Sequence, residues 1–547
     1  LQEQEKGLPA GWWLPGKAPL IEGETDVNEA VAELRRPLVL VRAANGLAVA
    51  RGGSVHWDAQ ASGATAYALA GMAPALPPKQ LGDAGFRQDL GLRYAYAAGA
   101  MANGIASTRL VEAMGRAGML GFFGAAGLSL ERVEAAVAEL AAALPGIPHG
   151  FNLIHSPNEP LLEAAVADLY LRRGVRLVEA SAYLRLTLPL VRFRVKGIAR
   201  GAGGNVVVPN RVVAKVSRIE VATQFFSPPP AEMLAELVRT GEITSEQAQL
   251  ASLIPVAQDL TVEADSGGHT DNRPLVTLLP TMLSLRDRMQ AQYGYQEPLR
   301  VGAAGGLSTP SAVAAAFAMG AAYVVTGSVN QACVESGSSD TVRTMLAQAE
   351  QADIAMAPAA DMFEMGVRVQ VLKRGTMFPM RAAKLYEIYR ANPGLDALSE
   401  ADRTFVEKQI LRATTGEAWQ STRAFFMQRD PAQVERAERD PKHLMALVFR
   451  SYLGLSSRWA NAGDPGRVMD YQVWCGPAMG AFNEWVRGSF LERPENRRAV
   501  VVAQNLMLGA ARQLRQHVLR AQGIQLQVGL GGGAPLSPEA LGKFLNS

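Results

Sequence analysis

One of only six histidines in this 547-residue chain stands in the stretch VEADSGGHT, residues 262–270, after two acids and a glycine pair. An imidazole titrates close to neutrality, so His269 is suited to giving or taking a proton, with the carboxylates Glu263 and Asp265 just before it. Asp271, Asn272 and Arg273 follow directly and either shape a pocket or contact an anion, with surface pairing an equal alternative for Arg273. Two other stretches suit phosphate. In AAGGLSTP, Gly305 and Gly306 bare their backbone N–H groups ahead of Ser308, Thr309 and Pro310, which read as the cap and first turn of a helix. In VTGSVNQ, Gly327 and Ser328 offer a second set of donors. Polar residues end other apolar runs: Met101, Asn103 and Gly104 in AAGAMANGIAS, Asn152 in GFNLIHS, and Lys215 and Ser217 in RVVAKVS. Each alone reads as a turn former, and only their shared position argues for a ligand. The glycine-rich GIARGAGGN lacks G-x-G-x-x-G spacing and leads into VVVPN rather than a helix, which speaks against a dinucleotide loop. Cys475, in VWCGPAMGAFNEW, has no adjacent base and reads as packing.

These residues share a position because of the elements beneath them. Eight short apolar runs, at 92–99, 118–124, 150–156, 175–181, 211–217, 259–265, 299–305 and 322–328, alternate with helical stretches such as STRLVEAMGRA and SLERVEAAVAELAAAL. Eight βα repeats predict an α/β fold, a (β/α)8 TIM barrel over residues 81–385; an open doubly wound sheet is the alternative. In a barrel, ligands sit at the C-terminal ends of the strands and phosphate at the loops after the last two, where both glycine-bearing loops fall. Flavin mononucleotide or a phosphorylated substrate fits such a site equally on these grounds. The fourth crossover, 182–210, is expected to be irregular, made of extended strands and a glycine-rich loop or hairpin. Residues 228–252 form a helical lid candidate. Residues 1–80 are expected to be a strand-rich N-terminal element, 386–525 a helical substrate or carrier-protein domain, and 526–547 a flexible tail ending in a short helix.

Composition narrows the partners. Lys plus Arg number 54 against 51 Asp plus Glu, so neither nucleic acid nor an anionic membrane is expected as a partner. Cys333 and Cys475 support neither a disulfide framework nor a metal cluster, so no metal is expected and a reducing cytoplasmic setting is. A start at Leu1 rather than Met is what a trimmed chain or a piece of a longer polypeptide would show. Oligomeric state is left open.

The order of the motifs GAMANGIAS, FNLIHS, VEADSGGHT, VGAAGGLSTPSAVAAAFAMGAAYVVTGS and ACVESGSS resembles the superfamily of nitronate monooxygenases and FMN-dependent enoyl-acyl-carrier reductases across the whole barrel. The longer strings AKVSRIEVATQFFSPPP, VEADSGGHTDNRPLVTLLPT and YQVWCGPAMGAFNEWVRGSFLE are similar, more narrowly, to the PfaD-type trans-acting enoyl reductases of polyketide and polyunsaturated fatty acid synthases. That resemblance implies a flavoprotein that takes hydride from NADPH through FMN to an enoyl thioester on an acyl carrier protein. It implies Met101 and Asn103 along the flavin, Asn152, Ser217 and Glu263 around its ring or ribityl chain, Gly267 and Gly268 facing it, and Gly305, Gly306, Gly327 and Ser328 at its phosphate. His269 corresponds to the histidine that stands over the flavin, either polarising the thioester or protonating the α-carbon. Asp271, Asn272 and Arg273 would border the substrate. The alternatives are a nitronate monooxygenase, in which that histidine is a base, and a non-catalytic assembly module of a synthase.

Overall fold

The computed structural model describes residues 11–57, 66–155, 160–524 and 533–545. These fall into two compact units, one formed by Leu1–Ala84, Thr309–Gly320 and Val501–Ser547, the other by Gly85–Ser308 and Ala321–Val500.

The second unit holds the barrel. Its eight strands are β1 (Tyr96–Ala98), β2 (Leu120–Phe123), β3 (Gly150–Ile154), β4 (Leu177–Ser181), β5 (Arg211–Val216), β6 (Asp259–Glu263), β7 (Arg300–Ala304) and β8 (Val324–Thr326). All are parallel, and β8 closes on β1. The strands are buried almost throughout, which is why they read as continuous apolar runs rather than alternating ones. Serine caps start the first two barrel helices: Ser107 Oγ accepts from the Leu110 N–H and Ser129 Oγ from the Arg132 N–H. At the N-terminal end of the strands, the buried Asp259 accepts from Arg300 Nε at 2.7 Å, and Phe86 stacks on Tyr323 at 4.1 Å. A side chain on Gly302 would meet the Tyr323 ring at 2.4 Å, so the glycine makes room for it.

The fourth crossover departs from expectation. It does contain a hairpin, Ala199–Arg200 against Val206–Val207, but the stretch expected to be extended is a helix, Leu188–Val195. Leu190, Val191, Phe193, Arg194 and Val195 are all buried, so no polar face remains to mark a helical period. Residues 228–252 form two helices, Ala231–Arg239 and Ser245–Ala251. Arg192 pairs with Glu242 in the turn between them at 3.1 Å, and Lys196 donates to the Glu242 carbonyl, so the crossover helix tethers that turn.

After β8 the chain adds an unforeseen antiparallel sheet, in which Arg368–Leu372 lies between Ile354–Pro358 and the two-residue strand Gly268–His269. Helices follow from Phe378 onward, earlier than the expected 386, and the long Pro441–Ala462 is central to them. Their apolar core gathers Phe378, Leu385, Val406, Ile410, Val448, Phe449 and Tyr452. Within it the fully buried Asp470 accepts from Arg381, from Arg412 at 3.1 Å, from Arg467 at 3.3 Å and from the Tyr452 hydroxyl at 2.9 Å.

The first unit contains a five-stranded antiparallel sheet, in the order Gly46–Ala50, Leu38–Ala43, Tyr67–Ala73, Trp12–Leu14, Ser54–His56, together with the helix Glu24–Ala32. Most of the helix Ala499–Ala521, expected within the helical domain, clusters here instead. The reason is Arg515, whose buried guanidinium donates to the carbonyls of Glu33, Arg36 and Pro74. The tail ends in the helix Pro538–Leu545; its glycine run lies outside the described residues.

Removing the Asp470 carboxylate leaves three arginines without their shared counter-charge. Asp470→Ala is expected to cost about 3–5 kcal/mol, read as a lowered denaturation midpoint of the second unit.

Candidate active site

Three charged side chains project from neighbouring strands at the C-terminal end of the barrel. Lys215 Nζ, on β5, lies 3.2 Å from Glu263 Oε1 on β6 and 3.7 Å from Glu179 Oε2 on β4. Glu179 is fully buried; its Oε2 also accepts from the Ala100 N–H at 3.1 Å, while its Oε1 has no hydrogen-bond partner in the protein. Burial raises the Glu179 pKa, and the nearby Lys215 charge only partly offsets this. Burial opposes the Lys215 charge too, but the two carboxylates outweigh it and raise the lysine pKa. The lysine is therefore a firmly held cation.

The expected phosphate loops have the features an anion requires. Gly305 and Gly306 adopt φ of 86° and 73°. A Cβ on Gly305 would strike the Ala264 backbone at 2.6 Å, whereas a Cβ on Gly306 or Gly327 would project into open space. Ser308, expected as part of a helix cap, is not the cap: Thr309 accepts from the Ala312 N–H. Ser308 is instead buried, with a hydroxyl that has no partner in the protein. Open backbone on both loops and an unsatisfied buried hydroxyl on one of them suit a phosphate-bearing group such as FMN.

The stretch that follows β6 is clamped by packing. Gln370 Nε2 donates to Asp265 Oδ1 at 3.0 Å and to the Ser266 carbonyl at 2.8 Å. A Cβ on Gly267 would lie 2.8 Å from the Cys475 backbone nitrogen, and Gly268, at φ 82°, packs over Trp474. Close chain approach at Gly267 and a left-handed φ at Gly268 thus give the pair a structural reason beside the flavin-facing role expected of it. His269 pairs in register with Val369, and its Nε2 lies 3.1 Å from Asp361 Oδ1 in the turn between the two longer strands. That turn is held in place by Arg450, which donates to the Ala360 carbonyl at 2.8 Å and to Glu364 at 3.1 Å. Surrounding protein disfavours a charged His269 ring, but the bond to Asp361, its charge and that of Glu263 prevail, so the pKa rises above 6.5.

Other expected residues have definite structural partners. Ser217 donates to Asp271 Oδ2 at 2.6 Å, and Arg218 grips the same carboxylate through two bonds of 3.1 Å. Ser217 and Asp271 therefore tie β5 to the loop after β6, and the Arg218 hydrogen bond lowers the Asp271 pKa. Asn272 occupies a left-handed turn at φ 51°, and the Arg273 carbonyl accepts from the Asp265 N–H at 3.0 Å. Asn152 is buried and donates to the Glu179 carbonyl and the Ser181 hydroxyl, at 3.1 and 2.8 Å. Asn103, at φ 57°, donates to Ser457 on helix Pro441–Ala462 at 3.0 Å; Met101 beside it is half-buried. Cys475 is buried and its thiol pKa is pushed up to about 12, as packing predicts. Glu179, Asp361 and the role of Ser308 escaped the sequence reading. Glu179 left a trace as an acid inside a buried run, but nothing local marks Asp361. Among the described residues no cluster of three or more His, Cys, Asp or Glu could hold a metal, and no helix is long and apolar enough to cross a membrane.

Comparison with known proteins gives this geometry a context. The family model described as nitronate monooxygenase matches residues 90–419, and that of the inserted helical domain of acyl-carrier-protein S-malonyltransferase matches 392–471. The chain is 50% identical over 461 residues to a polyunsaturated fatty acid synthase subunit of Thraustochytrium sp., covering 82% of this chain and 31% of that protein. It is 45% identical over 441 residues to the polyketide biosynthesis protein PksE of Bacillus subtilis, covering 80% and 57%. The chain thus spans about a third to just over half the length of these curated relatives. The crystal structure of the enoyl reductase domain of MlnA, from the macrolactin biosynthesis cluster of Bacillus amyloliquefaciens, is similar with a TM-score of 0.76 and 39% identity, covering 82% of this chain and 99% of that one.

The His269–Asp361 pair yields a pH prediction. A raised pKa keeps the ring protonated above its ordinary value, and without the Asp361 charge only the opposing burial and the more distant Glu263 remain. In an NMR titration the His269 midpoint is expected above 6.5, and lower in Asp361→Asn than in the parent.

Proposed function

We infer that this chain, which belongs to the nitronate monooxygenase family, is the enoyl reductase of a polyketide or polyunsaturated fatty acid synthase. It reduces the α,β-double bond of an enoyl thioester carried on an acyl carrier protein, using NADPH and bound FMN. Family membership makes the chain an oxidoreductase, and the observation that carries the narrower reading is its likeness to nearly the whole MlnA enoyl reductase domain. The match of 392–471 to the helical insert of a malonyltransferase named for its carrier protein supports the carrier-bound substrate.

The backbone of Gly305, Gly306, Gly327 and Ser328, with the Ser308 hydroxyl, would hold the FMN phosphate, and Met101, Lys215 and Glu263 would border its ring. When bound, FMN supplies a two-electron relay that accepts hydride from NADPH and delivers it to the β-carbon. The chain supplies the rest. His269 directs Nε2 at Asp361, which leaves Nδ1 to serve the substrate. In the charged ring Nδ1 donates, polarising the thioester carbonyl as the hydride arrives and serving as proton source for the α-carbon. Ser217, Asp271 and Arg218 keep the His269 loop against the end of β5.

The family model's own description favours a second reading, nitronate oxidation, in which a neutral His269 first removes the α-proton of the parent nitroalkane to form the nitronate. The two have opposite pH signs: the reductive step falls as pH rises through the His269 pKa, whereas a base-dependent oxidation rises. The deciding experiment is anaerobic reduction of the FMN-loaded protein by NADPH, followed by an enoyl carrier-protein thioester. Rapid flavin reoxidation is expected; its absence, together with oxygen uptake on alkyl nitronates, would reverse the assignment. His269→Gln should slow that reoxidation by about 10²-fold while leaving flavin content unchanged.

A further inference from the structure

We propose that the flank of helix Thr415–Arg429 around Phe425, together with Leu455 and Arg458 on helix Pro441–Ala462, is the docking surface for the carrier protein and receives an acidic, amphipathic helix of that partner. The proposal rests on the reductase reading above and gives it a location.

The face combines two features seldom left to solvent together. Residues 418–429, AWQSTRAFFMQR, contain no carboxylate, and their only charges are Arg423 and Arg429. Their helix exposes Phe425 (40%) on the flank that meets helix Pro441–Ala462, and that neighbouring helix exposes Leu455 (37%). The Phe425 ring lies 5.7 Å from the guanidinium carbons of both Arg429 and Arg458. Arg423 spends its charge on Glu438 at 3.2 Å, but exposed Arg458 has no carboxylate partner among the described residues. An aromatic anchor with a cation left uncompensated beside it is complementary to a helix that presents both apolar and acidic side chains. The near balance of charge over the whole chain makes this a local attraction rather than a general affinity for polyanions.

Position supports the same occupant. Ser457, adjacent to Arg458, accepts the hydrogen bond from Asn103 in the loop that follows β1, so the patch adjoins the end of the barrel where a carrier's acyl arm must enter. Phe425, Arg429, Leu455 and Arg458 all lie within 392–471, the part of the chain that matches the malonyltransferase insert.

The test compares two substrates with the same acyl group, one on the carrier protein and one on a small free thiol such as N-acetylcysteamine. Arg458→Glu and Phe425→Ser are expected to raise KM for the carrier-bound substrate by about tenfold or more, with Arg458→Lys close to the parent. Kinetics on the free thioester and flavin content should not change. Equal losses on both substrates, or unchanged carrier-bound kinetics in the double variant, would overturn the proposal. So would a change in oligomeric state with the carrier KM unaltered, which would mean that a second copy of the chain covers this face. If the parent reduces neither substrate, the reductase reading fails separately. The docking claim is then decided by fluorescence anisotropy of labelled carrier protein, where Arg458→Glu must weaken binding for the claim to stand.

Discussion

A contact that admits no side chain organises the second unit. A Cβ on Gly267 would stand 2.8 Å from the Cys475 nitrogen, and one on Gly476 would stand 3.0 Å from the Gly267 nitrogen, so two segments far apart in sequence meet backbone to backbone. Gln370 completes the clamp through Asp265 and the Ser266 carbonyl. The loop that carries His269 is thereby fixed to the sheet whose turn carries Asp361, and helix Pro441–Ala462 holds that turn through Arg450. A 3.1 Å bond between two half-exposed side chains would be worth little on a loose surface. Held at both ends by rigid backbone, it raises the proton affinity of His269 against the opposing effect of burial.

Charge in this unit is used in two contrasting ways. Around Asp470 a single carboxylate is saturated by arginines and a tyrosine inside an apolar core, a fully used arrangement that stabilises the packing of several helices. At the end of the barrel one lysine is shared between two carboxylates, and one oxygen of Glu179 is left unsatisfied. Unsatisfied buried groups are costly, and they occur in several parts of the chain; two of them, Glu179 at the strand ends and Ser308 beside the glycine loops, lie at the C-terminal end of the barrel.

The barrel was legible because its strands are buried on both faces and read as eight apolar runs, and its helices because they keep a polar side. Where burial is complete the signal fails, as in Leu188–Val195, where buried Arg194 sits among apolar neighbours and the helical period disappears. The sheet at 354–372 was missed because one of its members, Gly268–His269, has only two residues and pairs with a strand remote from it in sequence. The polar residues at the strand ends were readable as a group, but not their pairings: Ser217 with Asp271 spans 54 residues and His269 with Asp361 spans 92. The glycine pair at 267–268 was visible, yet its packing reason lay in residues 474–476, which no local pattern connects to it.

The bond from Asn103 to Ser457 bears on how such a chain can be inherited. The family match that ends at residue 419 stops inside helix Thr415–Arg429, and a gene segment cut there would lose Ser457, Arg450 and the backbone at Cys475 together. Such a segment would encode all eight strands yet lack what holds the histidine loop in place. A segment that keeps the site whole must therefore reach at least Gly476 at its C-terminal end, and the compact unit that holds these contacts runs from Gly85 to Val500 apart from 309–320.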